Sequence, residues 1–329
     1  MTLPVSLNDI EAAATRLQGR AMRTPLIAAP ALSEQFAARV FLKPECMQRT
    51  GSFKFRGAYN ALMAAGDAAA GGVVACSSGN HAQGVAEAAR LAGVPATIVM
   101  PEDAPAVKVN RTRAAGARII TYDRAREDRE EVLADLIRRE GGFLIHPYND
   151  TKVIAGQGTI GLEIASELAN MRLVPDIVMM PCSGGGLAAG VSLAVTERAP
   201  NCRVLAMEPE GFDDYGRSLA ADQIVRNERT SGSVCDALLA PAPGEIGFAI
   251  NRERLSGTRT VSDDAALNAI AFAYERFRLV LEPGGALALA ALLSGSVDVR
   301  GTVVVLVLSG GNVDDSVLAQ ALARYRSAA

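Results

Sequence analysis

Several stretches of the chain carry residue types that do chemistry. In Gly51-Ser52-Phe53-Lys54-Phe55-Arg56-Gly57-Ala58 a lysine sits between two aromatics at the start of a predicted helix. A desolvated lysine has a lowered pKa and can act as a carbonyl-attacking nucleophile or a general base. Taken alone, Lys54 reads instead as a surface lysine that buries its stem and leaves its ammonium in water. Ser77-Ser78-Gly79-Asn80-His81-Ala82-Gln83-Gly84 follows a strand and opens a helix, so its hydroxyls, glycine and amide can wrap a carboxylate. The same Ser and Asn can serve simply as helix caps. Met180-Pro181-Cys182-Ser183-Gly184-Gly185-Gly186-Leu187 runs from a strand into a helix, and its glycines let backbone N–H groups turn inward beside a positive dipole end, which suits a phosphate. Its spacing is neither GxGxxG nor GxxxxGK[ST], so the dinucleotide and P-loop readings fail. Ser309-Gly310-Gly311-Asn312 ends an apolar strand, where open α/β sheets place ligands, although turn formers alone also build such a loop. Glu208-Pro209-Glu210-Gly211-Phe212-Asp213-Asp214 is a carboxylate cluster that suits a hard cation or makes a solvated acidic turn.

Scarcity narrows the chemistry further. The only histidines are His81 and His146, which excludes a multi-histidine metal centre. The only lysines are Lys43, Lys54, Lys108 and Lys152, so a lysine nucleophile has few candidates. The 5 cysteines are widely spaced without a CxxC pair and read as buried reduced thiols. Lys+Arg of 33 against Asp+Glu of 36 gives a net charge of −3, with no block of like charge to suit nucleic acid or a membrane surface. No run of about 18 apolar residues and no signal-peptide pattern occurs, so a soluble, cytoplasmic protein is expected.

The elements that must position these residues follow an α/β pattern with mostly parallel sheets, β-branched runs alternating with Ala/Leu-rich helical segments. Strands are predicted at Val40–Lys43, Val73–Cys76, Ala96–Met100, Arg118–Thr121, Phe143–Ile145, Ile177–Met180, Val204–Glu208 and Val303–Leu308. Val303–Leu308, apolar without alternation, should be buried on both faces. Helices are predicted at Gly84–Leu91, Arg129–Arg139, Gly158–Ala169, Leu187–Glu197 and Asp264–Phe277. At 329 residues the chain should form two lobes, a large one of residues 1–60 plus 151–329 and a small one of residues 61–150. The region Asp222–Gly257 has little periodicity.

Together, a lysine, a phosphate cradle, an anion-binding Ser/Asn loop and a Ser-ended strand are the parts that pyridoxal phosphate needs. Ser52–Ala58, Ser77–Gly84, Val153-Ile154-Ala155-Gly156-Gln157-Gly158-Thr159 and Ser309–Asn312 also occur in the order of the serine/threonine dehydratase and serine racemase family. The chain resembles these fold-type II, tryptophan-synthase-β-like enzymes over nearly its whole length. The resemblance implies two α/β lobes with pyridoxal phosphate between them. It implies that Lys54 holds the cofactor and moves the substrate's α-proton, Phe53 packs near the ring, and Asn80 meets the ring hydroxyl. By the same resemblance, Ser183, Gly184, Gly185, Gly186 and Leu187 would grip the phosphate, and Ser309 would face the pyridine nitrogen. Ser77, Ser78, Asn80 and His81 receive the substrate, and Arg129 aligns with a substrate-binding arginine in racemase-like members. The alternative for Arg129 is a solvated helix charge.

By resemblance to metal-dependent members, Glu208, the Phe212 carbonyl and Asp214 would bind Mg²⁺ or Ca²⁺. Two positions depart from the family pattern, with Ser183 in place of the first glycine of the phosphate turn and Ala237 in place of another glycine. The implied activity is β-elimination from serine or threonine to a 2-keto acid and ammonia, with hydroxyaspartate a third substrate. The rival within enzymes is an amino-acid racemase using Ser78 as the acid/base on the opposite face, and a non-enzyme rival is a ligand-binding module that keeps the scaffold. No C-terminal regulatory domain is expected after the last helix, and the family suggests a homodimer acting on a small amino acid.

Overall fold

The computed structural model of the chain describes residues 3–104, 106–123 and 125–328. Among the described residues ten strands form two sheets. They are β1 (Ile27–Ala28), β2 (Arg39–Pro44), β3 (Val73–Cys76), β4 (Ala96–Pro101), β5 (Arg118–Tyr122), β6 (Phe143–Leu144), β7 (Ile177–Pro181), β8 (Arg203–Pro209), β9 (Gly257–Val261) and β10 (Val303–Leu308). The 6-stranded sheet has the order β1-β2-β10-β7-β8-β9 and the 4-stranded sheet the order β5-β4-β3-β6. Every pairing is parallel except β1 with β2. Parallel strands need helical crossovers, which cover both faces and leave β10 buried from Val304 to Leu308.

The strand pattern is the one expected, with additions. The two-residue β1 and the partly exposed β9 fall below what periodicity detects. Within Asp222–Gly257 the structure places a short turn at Asp236–Leu238 and a helix at Glu245–Arg254.

Two helices start earlier than expected, for one physical reason. The helix expected at Gly158 begins at Thr151, where Asp150 caps it by accepting from Lys152 N at 2.7 Å and Val153 N at 2.8 Å. The helix expected at Gly84 begins at Asn80. Their glycines are interior contact points rather than breaks. A Cβ on Gly156 would lie 2.6 Å from the Arg56 carbonyl, and one on Gly84 would lie 3.1 Å from the Lys54 backbone. The helix Thr151–Asn170 thus packs closely on Lys54–Ala65 and Gly186–Arg198, and Asn80–Ala92 packs on Lys54–Ala65.

Candidate active site

The motifs converge because they stand at the carboxyl ends of parallel strands. Ser77 follows β3, Cys182 and Ser183 follow β7, and Ser309 follows β10. Short backbone pairings join distant stretches: Phe53 N donates to the Ser309 carbonyl at 3.1 Å and Gly311 N to the Gly51 carbonyl at 2.8 Å. They enclose a cleft of about 290 Å³ between the sheets, lined by Phe53, Lys54, Ser77, Ser78, Asn80, His81, Arg129, Ser183 to Leu187 and Ser309.

Lys54 is the first residue of its helix, and its Nζ donates to the Pro147 carbonyl at 2.7 Å, 5.2 Å from the centre of the Phe53 ring. Burial pushes its amine down to about 8, partly opposed by the charge of Glu282. The amine thus gives up its proton far more readily than a solvated lysine, as a nucleophile or base requires.

Two helix N-termini line the same cleft as this amine. The helix Gly186–Arg198 has Gly185 at its N-cap, in the left-handed region at φ 88° and with no capping side chain. The N–H groups from Ser183 to Ala188 have no partner among the described residues. Glycine is required here by crowding as well as by φ, since a Cβ on Gly184 would lie 2.4 Å from the Tyr148 ring and one on Gly185 2.3 Å from the Tyr215 hydroxyl. The Ser183 hydroxyl accepts from Ala240 N at 3.0 Å and keeps its own proton free to donate. From the other lobe, Asn80–Ala92 starts behind Gly79, again without a side-chain cap, so the simple N-capping reading of this loop fails. A cleft with a low-pKa lysine and one uncapped helix N-terminus from each lobe fits a lysine-bound cofactor phosphate and a substrate carboxylate.

Other expected residues are placed less simply. The His81 ring is turned inward, its Nε2 donating to the Ile145 carbonyl at 2.8 Å, and burial pushes its pKa down to about 3. His81 therefore offers the cleft its backbone N–H rather than a charged ring. Asn80 lends its side chain to two neighbours, with Nδ2 donating to Glu282 Oε1 at 2.6 Å and Oδ1 accepting from Asn312 Nδ2 at 2.7 Å. Ser309 is buried and its hydroxyl makes no hydrogen bond among the described residues. Ala237 lines the cleft within the turn Asp236–Leu238. Arg129 is both a cleft residue and an exposed helix charge, its side chain 46% accessible and paired with Glu130 at 3.0 Å.

Sequence reasoning missed Tyr148 and Glu282. Tyr148 lies in the polar stretch after β6, where no periodicity marks it, and it is held by its N–H on His146 Nδ1 at 3.2 Å. Glu282 is a lone acid in a Leu-Glu-Pro-Gly turn, with nothing local to announce it.

Away from the cleft, Glu208 accepts from Tyr215 N at 2.7 Å and Gly216 N at 2.8 Å. Asp214 Oδ1 accepts from Asn227 Nδ2 at 2.7 Å, while Oδ2 is buried without a partner. Burial pushes Glu208 up to about 8 and Asp214 up to about 6. Among the described residues no cluster of three or more His, Cys, Asp or Glu is arranged to hold a metal. All 5 cysteines are free, and none of the described helices is long and apolar enough to cross a membrane.

Fold and site together are those of a two-lobed α/β enzyme with its cleft between the sheets. Residues 17–310 match the family described as pyridoxal-phosphate dependent enzyme, and the chain belongs to it. It is 43% identical over 310 residues to an L-threo-3-hydroxyaspartate ammonia-lyase of Pseudomonas sp., covering 94% of this chain and 96% of that one. It is 40% identical over 321 residues to the catabolic L-threonine dehydratase of Escherichia coli K12, covering 97% and 96%. The structure of maize serine racemase superposes with a TM-score of 0.90 at 36% identity, covering 98% of each chain. These are fold-type II architectures, as the resemblance implied.

Proposed function

We propose that the protein is an ammonia-lyase that eliminates the β-hydroxyl of a small β-hydroxy amino acid, serine, threonine or 3-hydroxyaspartate, to give a 2-keto acid and ammonia. The observation that carries this reading is a cleft that gathers the low-pKa Lys54 amine, two uncapped helix ends and Ser309 at the end of β10. Pyridoxal phosphate, when bound, supplies the electron sink that makes the substrate's α-proton acidic. The residues fit it: the free N–H groups of Ser183 to Leu187 for the phosphate, Phe53 beside the ring, Asn80 for the ring hydroxyl and Ser309 for the ring nitrogen. A neutral hydroxyl at that nitrogen stabilises negative charge less than a carboxylate would, which favours prompt loss of the β-hydroxyl. Lys54 takes the α-proton, and the N–H groups of Ser78, Asn80 and His81 hold the substrate carboxylate, with the Gly79 N–H donating to the Ser77 hydroxyl at 3.2 Å.

Arg129 supports the dicarboxylic substrate. It stands in the cleft wall beside the carboxylate-binding loop, and a guanidinium there can pair with a second carboxylate on the β-carbon. Arg129→Ala should lower kcat/KM for L-threo-3-hydroxyaspartate by roughly 10–100-fold, the worth of a charge-assisted hydrogen bond, and leave L-threonine nearly unchanged. Equal effects on both substrates in a steady-state comparison would assign Arg129 to the helix surface.

Racemisation is the second reading, because Ser78 lines the cleft and could serve as an acid/base on the opposite face.

We further propose that Glu208, the Phe212 carbonyl and Asp214 hold Mg²⁺ or Ca²⁺, a reading supported by the buried Asp214 Oδ2, which has no hydrogen-bond partner, and by the charge of Asp214 beside Glu208. Exhaustive chelation should lower the melting temperature and activity together, with added Mg²⁺ or Ca²⁺ restoring both. Unchanged melting and turnover would leave the turn purely structural. The resemblance further supports a homodimer, which mass measurement in solution checks.

A further inference from the structure

Glu282 is buried at the cleft, 6% exposed, and no lysine or arginine forms an ion pair with it among the described residues. Its Oε1 accepts from Asn80 Nδ2 at 2.6 Å, while Asn312 Nδ2 donates at 2.7 Å to Asn80 Oδ1 and at 2.8 Å to the Thr50 carbonyl. Asn80 begins a helix of the small sheet, whereas Glu282 and Asn312 flank β10 of the large sheet. Both ends of one amide from one lobe are therefore clamped by the other lobe. A carboxylate only accepts and an amide nitrogen only donates, so this pair of neighbours fixes which end of Asn80 is nitrogen and leaves its second N–H uncommitted. The clamp also explains a glycine: a Cβ on Gly310 would lie 2.1 Å from Glu282 Oε1. Holding a carboxylate there is costly. Burial and the Asp236 charge push Glu282 up to about 7, against the Asn80 hydrogen bond and the charges of Lys108 and Lys54.

We propose that Glu282 is a positioning residue for the cofactor: by clamping the Asn80 amide against Asn312, it presents the remaining Asn80 N–H to the ring hydroxyl and ties the two lobes together at the cleft floor. This rests on the reading that Asn80 meets the ring hydroxyl, and it adds the residue that sets the direction of that contact. Glu282→Gln keeps an oxygen acceptor, whereas Glu282→Ala leaves Asn80 free to turn.

The test uses the purified holoprotein and two readouts other than turnover, the visible absorption band of bound pyridoxal phosphate and its affinity by equilibrium dialysis. Glu282→Ala should shift the band and weaken retention about tenfold, the worth of one hydrogen bond to a charged group, while Glu282→Gln stays near the wild type. If Glu282→Ala does not fold, Gly310→Ala, which displaces the carboxylate without removing it, should give the same shift. A wild-type band and affinity in Glu282→Ala, or in Gly310→Ala where that stands in, overturns the proposal. Asn80→Ala then separates the causes. If it alone shifts the band, Asn80 acts without Glu282, and if it too is silent, the Asn80 reading itself is wrong.

Discussion

Lys54→Ala abolishes turnover and the borohydride-fixed link between chain and cofactor, on this account, while leaving the fold intact. Of the lysines, Lys43 is fully buried and paired with Glu163 at 2.7 Å and Glu167 at 3.3 Å, Lys108 pairs with Asp236 and Lys152 with Asp9. Lys54 instead faces a carbonyl oxygen inside the cleft, and burial has already lowered its pKa to about 8. In the proposed mechanism it is both the attachment point and the base, so its removal costs two steps at once. Reduction, digestion and mass spectrometry locate the cofactor on the chain. An adduct on Lys43, Lys108 or Lys152 in the wild type would refute the assignment.

The second large effect falls on stability, two residues further along the same helix. Arg56 is 1% exposed and donates to Glu45 through Nε and Nη2 at 2.8 Å each, and to Glu163 through Nη1 at 2.7 Å and Nη2 at 3.0 Å. Lys43 reaches Glu163 from the other side, so the network ties β2 and the Lys54 helix to the helix Thr151–Asn170. Removing the guanidinium strands the fully buried Glu45, a loss of about 3–5 kcal/mol for breaking one side of a buried pair. Arg56→Met should lower unfolding free energy by that order, and Arg56→Lys should recover only part, because an ammonium cannot reproduce the planar fork. Burial raises the Glu45 carboxyl, but the Arg56 charge and hydrogen bonds outweigh it and hold it below its usual 4.5. A depressed carboxyl stabilises above its unfolded pKa, so the gap between wild type and Arg56→Met should close as pH falls below 4.5. Denaturant unfolding at neutral and acid pH measures both, and an equal gap at both would contradict the paired-charge account.

What was legible in the sequence follows from where information is local. The lysine, the glycine turn and the Ser/Asn loop are contiguous motifs at strand ends, so they could be read before any contact was known. Helix starts were misread where glycines serve a neighbouring helix, as at Gly84 and Gly158, because a packing requirement looks like a break when the neighbour is unseen. The same applies to His81, whose ring belongs to the Ile145 carbonyl. Glu282 and Tyr148 meet partners far along the chain, Asn80 for Glu282 and Gly184 for the Tyr148 ring, and no spacing rule signals such pairs.

The central claim, elimination rather than racemisation at a site built on Lys54, is tested most directly by one time course. The holoprotein is incubated in deuterated water with L-threonine, L-serine or L-threo-3-hydroxyaspartate, and keto acid, ammonia and chiral composition are followed together. The account predicts equal amounts of keto acid and ammonia from at least one of these substrates, with little of the opposite enantiomer. Rapid accumulation of that enantiomer with little keto acid would contradict it and assign the site to a racemase.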